Sequence, residues 1–378
     1  MRILLAPDKF KGTLTAQQVV EVVTEELMQA DPSMEVSGVA LADGGDGTLA
    51  FALDHGYQVR TVAAVDALGR PNESAYAVAG SSAIIELAAV CGLATVLDHP
   101  LRPWQASTLG LGMVARHAVQ AGATEVTIGL GGSASIDGGL GFVLGLGVRV
   151  SDRLGWRVPA GLLGVRRAVR VDPRRLPEAV RRARWRFLVD VDNPLLGALG
   201  AAAVFGPQKG LLQDEVAVAD ASLAAWADLL DPAAGRRVAA EPGMGAAGGV
   251  AFAARTLFGA HISSGADWVA EQAGLQERVA ACDLVVTGEG RFDRQSLMGK
   301  APGLVIDLAR RLGKPVYVLA GSSELSPEQA AAAGVTGVLS MAELAGDPSA
   351  AIADPRQWLA QAARALLAQL PVNHPTIA

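Results

Sequence analysis

The stretch TGEGRFDRQSLMGKAP, residues 287–302, follows the apolar run Leu284-Val285-Val286 and sets Glu289, Asp293, two arginines and Lys300 among glycines. Glycine lets a backbone approach a ligand closely, and neighbouring opposite charges suit a place where a polyanion and a metal ion meet. Phosphate chemistry is therefore the first reading. LADGGDGT, residues 41–48, puts Asp43 and Asp46 three apart on a glycine-rich bend, an arrangement able to hold Mg²⁺ through oxygen or to orient a polyol. GLGGSA, residues 129–134, fits the dinucleotide pattern G-x-G-x-x-A, with Asp152 about 20 residues on. Ser135 and Asp137, however, put polar groups where a dinucleotide helix packs against its sheet, leaving a glycine loop at a helix N-terminus as an anion cradle. DVDNPLLG and FGPQKG add Asp190, Asp192, Asn193 and Lys209 at loop positions.

These groups need a scaffold, and the pattern supplies one. RILLA (2–6), TEVTIGL (124–130), RFLVDV (186–191), DLVVT (283–287), PVYVLA (315–320) and GVTGVLS (334–340) read as strands, most with helix-period stretches between them. Thr15 and Gln18 form a capping box ahead of a stripe of Val19, Val20, Val23 and Leu27. Alternation of this kind implies an α/β fold with a parallel sheet, and the polar and glycine motifs fall at strand exits, where ligands bind in such sheets. Residues 57–87 read instead as antiparallel strands. The expected architecture is a discontinuous Rossmann-like domain, residues 1–75 and 280–378, with a second α/β domain, residues 76–279, inserted.

The formal net charge of −6 argues against a general nucleic-acid binder. The arginine-biased segment 153–186 lacks interleaved aromatics and reads as a solvated excursion. Cys91 and Cys282 show no metal or redox spacing, and no run of about 18 apolar residues avoids acids or dense glycine, so a reduced cytoplasmic protein without a membrane span is expected. A Walker A loop, a G-x-S-x-G elbow and an H-E-x-x-H motif are all missing from the sequence.

APDKFKGTLTA, LADGGDGT, DALGRP, IGLGGSASIDGG, DVDNPLLG, FGPQKG, PGMGAAGG and LVVTGEGRFDRQSLMGKAP, in this order, resemble the bacterial type I glycerate kinases over nearly the whole chain. The resemblance implies transfer of phosphate from ATP, with Mg²⁺, to D-glycerate, usually on the 2-hydroxyl to give 2-phosphoglycerate, in a cleft between the two domains. It implies small-molecule substrates and leaves a homo-oligomer possible. On that basis Asp293 is the expected base with Asp190 as a second catalytic group. Asp8, Lys9, Lys11, Asp43, Asp46, Arg70 and Asp137 are the glycerate-binding candidates. Gly131, Gly132, Ser133, Lys209, Gly288, Gly290, Arg291 and Lys300 are assigned to ATP, and Asp43, Asp190 and Asp192 to the metal. The sequence departs from the family at Lys9, Asp46, Ser135-Ile136 and Leu109. The rival reading is a nicotinamide-dependent oxidoreductase of a small hydroxy acid, using GLGGSA for pyrophosphate.

Overall fold

The computed structural model describes residues 1–41, 45, 47–297 and 300–370; the side chain of Arg175 is also outside the description. The strands are β1 (Arg2–Leu5), β2 (Glu35–Gly38), β3 (Gln58–Val65), β4 (Pro71–Ala79), β5 (Ser82–Glu86), β6 (Glu125–Gly129), β7 (Arg149–Ser151), β8 (Arg170–Asp172), β9 (Arg184–Leu188), β10 (His261–Ser263), β11 (Leu284–Phe292), β12 (Val316–Ser323) and β13 (Gly337–Ser340). The chain divides into two compact units, Met1–Asp43 with Ala266–Ala378, and Gly44–Gly265. The first unit is discontinuous in sequence, with exchange points near residues 43 and 265 beside the expected 75 and 280. β3 pairs with β4 from Gln58 to Val65, and β4 pairs with β5. A boundary at residue 75 would therefore cut β4 in the middle of its ladder.

The first unit is a five-stranded parallel sheet in the order β13-β12-β11-β1-β2. Its strand order reverses between β1 and β11, the switch point at which doubly wound sheets leave a crevice beyond the strand ends. Thr15 caps the helix Ala16–Ala30 as its sequence demands: its Oγ1 accepts the Gln18 N–H at 3.1 Å, and its own N–H donates to Gln18 Oε1 at 2.9 Å. The buried stripe Val19, Val22, Val23 and Leu27 then joins Ile3, Leu5, Leu284 and Val286 in one core.

The second unit holds a six-stranded mixed sheet, β10-β9-β6-β5-β4-β3. β3, β4 and β5 are antiparallel, as the pattern of residues 57–87 implies, whereas β5, β6, β9 and β10 run parallel. The register aligns Glu86 with Gly129, Gly129 with Leu188, and Leu188 with Ser263. Four parallel strands thus end on one line, and the segments that leave them start side by side. Phe142, Phe187, Phe252 and Trp226 fill the core around this sheet. The arginine-rich segment surrounds the β7/β8 pair. Its Arg174, Arg182 and Arg184 lie on the surface, paired with Asp172, Glu178 and Glu125.

β11 runs five residues beyond its expected end, to Phe292, so Gly288 and Gly290 sit inside a paired strand and not in a phosphate-binding loop. The glycines have a packing cause. A Cβ on Gly288 would lie 2.2 Å from the Leu319 carbonyl oxygen, and one on Gly290 would lie 3.2 Å from the Lys11 nitrogen. Gly288→Ala is expected to cost about 1–3 kcal/mol through this overpacking, read as a lowered thermal midpoint; an unchanged midpoint would refute the packing explanation.

Candidate active site

At the strand ends of the first unit, the Asp8 N–H donates to the Gly288 carbonyl at 2.8 Å, and the buried Asp8 carboxylate accepts the Lys9 N–H at 2.7 Å. Lys9 is half-buried and Lys11 exposed. Lys300 takes the N-cap position of the helix Ala301–Arg311 without a side-chain cap bond. Arg291 already pairs with Glu324, and its Nε lies 3.7 Å from Asp293 Oδ2. Asp293 Oδ1 accepts the N–H groups of Gln295 at 2.7 Å and Ser296 at 3.3 Å, while the Asp293 N–H donates to Ser296 Oγ at 2.9 Å. Both oxygens of the expected base are thus engaged in a reciprocal turn cap and an ion pair. The helix begins only at Ala301, so the carboxylate closes a turn in front of it.

The second unit assembles its groups along the line of strand ends. β9 stops at Leu188, two residues short of Asp190 and earlier than the sequence suggests. Asp190 is exposed there, and its Oδ1 accepts the Gly265 N–H at 3.2 Å. A Cβ on Gly45 would lie 3.1 Å from Gly131 Cα and 4.0 Å from Asp190 Oδ2, so Gly45, the Gly131 loop and Asp190 meet at one spot. Asp43 and Asp46 themselves lie outside the described residues. Asp192 is exposed on the same strand exit.

Residues 131–139 do not form the expected glycine loop at a helix N-terminus. The next helix starts at Leu140, and the intervening chain runs irregularly past Cys91, with bonds from Leu93 N to Gly132 O at 2.8 Å and from Ala134 N to Cys91 O at 3.1 Å. That geometry lacks the direct strand-to-helix turn that a dinucleotide pyrophosphate needs. It leaves the N–H groups of Gly131, Gly132 and Ser133 without an acceptor among the described residues. Three successive donors can take anionic oxygens.

Three sequence candidates already have protein partners. Asp137 is fully buried: its carboxylate accepts the Thr108 N–H at 2.8 Å, the Thr108 hydroxyl at 2.9 Å, and the N–H groups of Gly139 at 3.1 Å and Gly141 at 3.0 Å. Burial pushes this carboxyl above its ordinary range against the pull of those donors. No surface is left to it for glycerate. Arg70 is likewise committed, binding Asp66, Asp98 and the Thr95 carbonyl, and so does not offer an open guanidinium to a carboxylate. Lys209 is 4% exposed, its Nζ donating to Ser133 Oγ at 2.6 Å and Ser135 O at 2.8 Å, so it does not reach a nucleotide directly. Burial lowers its pKa to about 7.

Gly265 went unread in the sequence because β10 spans only three residues, too few for a periodic signal; its Ser-Ser-Gly exit was the available clue. Thr108, the main partner of Asp137, carries no local pattern at all, because the two lie 29 positions apart.

The Glycerate kinase family model matches residues 3–371. The chain belongs to the glycerate kinase family. It is 35% identical over 326 residues to a glycerate 2-kinase of Escherichia coli (strain K12), covering 85% of each chain. It is 36% identical over 326 residues to a glycerate kinase of Bacillus subtilis (strain 168), with the same coverage of both chains. A crystal structure from Salmonella typhimurium LT2, of a protein proposed to be glycerate kinase 2, superposes with a TM-score of 0.83 at 33% identity and covers 98% of this chain and 100% of that one. The chain is accordingly a kinase, a phosphotransferase with an alcohol group as acceptor, and the oxidoreductase reading falls.

Asp137→Asn presents an amide N–H₂ to groups that are themselves donors, and is expected to lower stability by about 2–4 kcal/mol, measured by chemical denaturation; a loss under about 0.5 kcal/mol would contradict the bonding described. Lys209 gives a pH signature. Its folded pKa of about 7 lies below the ordinary lysine value, so between the two the unfolded chain holds a proton that the folded chain lacks. Stability from this group should therefore rise with pH above about 7, by at most about 1.4 kcal/mol per pH unit. The wild-type minus Lys209→Met difference in unfolding free energy, followed from pH 7 to 9, should show that rise; a flat difference would mean the amine is not depressed.

Proposed function

We propose that this protein transfers the γ-phosphate of ATP to the 2-hydroxyl of D-glycerate, giving 2-phosphoglycerate. Membership of the family over residues 3–371 carries this reading, and the name of the Escherichia coli relative supports the choice of hydroxyl. The second unit offers suitable groups. The open N–H groups of Gly131, Gly132 and Ser133 bind oxygens of an anionic substrate. Asp190, its Oδ1 fixed by Gly265, takes the hydroxyl proton as the new O–P bond forms and the bond to the ADP oxygen breaks. Lys9, Lys11 and Lys300 are the cations at the strand and helix ends of the first unit for anionic oxygens there.

Among the described residues no cluster of three or more histidines, cysteines or acids is placed to hold a metal. The exposed Asp190 and Asp192 pair fits Mg²⁺ nonetheless, because this ion typically takes one or two carboxylates and completes its shell with waters and substrate phosphates. When bound, it supplies charge neutralisation on the phosphates. Asp192 is the carboxylate we assign to it, with Asp43 of the GGD bend as a further candidate. No helix among the described residues is long and apolar enough to cross a membrane, and Cys91 and Cys282 are both buried free thiols; we place the reaction in the cytoplasm.

Incubation with D-glycerate, ATP and Mg²⁺, with the products separated, tests this. The expected product is 2-phosphoglycerate, formed only with a divalent cation. Exclusive 3-phosphoglycerate would overturn the choice of hydroxyl, full turnover in excess EDTA the metal assignment, and the absence of either product the substrate.

A further inference from the structure

Ser133 faces two ways in its bonding. Its N–H has no acceptor among the described residues, while its Oγ takes a 2.6 Å hydrogen bond from Lys209 Nζ. A second bond from Nζ, 2.8 Å long, ends on the Ser135 carbonyl. Two acceptors match the two N–H groups of a neutral amine. An ammonium brings a third N–H, for which no acceptor is present among the described residues. The Ser135 hydroxyl, fully buried and near enough in sequence to share this environment, also lacks a hydrogen-bond partner among the described residues. The free protein therefore has a buried amine short of one counter-charge, one residue's bonding away from a row of open N–H donors.

The surroundings add little to compensate. Asp137 is the charged group that acts on Lys209, and its oxygens are occupied by Thr108, Gly139 and Gly141. The helix Ala201–Phe205, which precedes the Lys209 turn, carries no titratable side chain. Leu101 packs against Gly210, and its neighbour Arg102 is exposed. Burial thus decides the protonation state, holding the amine near a pKa of about 7.

We propose that Lys209 is a positioning residue and buried counter-charge for an anionic substrate oxygen held by the Gly131–Ser133 N–H groups, acting on it through the Ser133 hydroxyl. This rests on the reading of that loop as a substrate site. An anion bound there favours the ammonium by Coulomb attraction in a poorly solvated interior, so binding draws a proton from solvent onto Lys209. Above neutral pH, where the free amine is largely neutral, substrate binding becomes proton uptake. At pH 6 the amine is already charged, and the uptake disappears.

Calorimetric titration of the full-length protein with D-glycerate and, separately, with ADP tests this in buffers of differing ionisation heat at pH 8 and pH 6. The variants are Lys209→Met, which removes the amine, and Lys209→Gln, which keeps two N–H donors without a titratable charge and so guards against simple loss of the fold. The expected result is uptake of a substantial fraction of a proton at pH 8 with one of the two ligands in the wild type. Neither variant should show it, and each should bind that ligand about 10-fold or more weakly. Equal uptake in wild type and Lys209→Gln, or a wild type that turns over glycerate and binds both ligands without uptake from either, overturns the role of Lys209 alone. A wild type that neither binds nor phosphorylates glycerate overturns the substrate reading, and this one with it.

Discussion

A buried carboxylate is among the costliest groups a fold can contain unless donors surround it, and Asp137 is surrounded. Thr108 begins one helix, Leu109–Gln120, and Gly139 and Gly141 begin another, Leu140–Leu146, so one side chain satisfies the open N–H groups of two helix starts. The glycines beside it follow from this. Gly138 and Gly139 hold φ values of 57° and 73°, and a Cβ on Gly141 would lie 2.7 Å from Asp137 Oδ2. With that end of the segment fixed and Lys209 gripping Ser133 and Ser135, residues 131–133 are left with defined positions and unused N–H groups.

The same glycine-rich spelling therefore carries two different physical meanings in this chain. In IDGG and in GEG it marks places where backbone must approach backbone or carboxylate, and the glycines of β11 are filled space between strands. In LGG it marks donors left over after packing. Sequence spacing does not distinguish these cases, because the difference lies in what stands opposite: the Leu319 carbonyl for Gly288, and Gly45 with Asp190 for Gly131.

Much of the fold was legible. The parallel strands, the Thr15 capping box and the antiparallel run of residues 57–87 are local patterns with local causes, and the structure contains all three. The end of β11 was missed because Gly-Glu-Gly-Arg has poor strand propensity and is held as strand by its pairing with β12. The site was legible as a set of segments but less so by residue. Asp190 stands out because it is exposed at a strand exit, whereas the burial of Asp137 and Lys209 carries no local signal, nor do the bonds of Arg70 to Asp98, of Asp137 to Thr108 and of Lys209 to Ser133, which span 28 to 76 positions. Charge at a strand exit identifies a candidate; only its hydrogen-bond partners show whether it is still available.

Exposure at the end of β9, with Oδ1 held by the Gly265 N–H beside the Gly131 loop, is what places Asp190 at the centre of the proposed chemistry. Steady-state kinetics of Asp190→Asn with saturating ATP, D-glycerate and Mg²⁺, beside a thermal melt of the same sample, address that assignment most directly. The account predicts a fall in kcat of at least about 10²-fold with the midpoint nearly unchanged, since the amide oxygen still accepts the Gly265 N–H but cannot take the proton. A variant with wild-type kcat would contradict it.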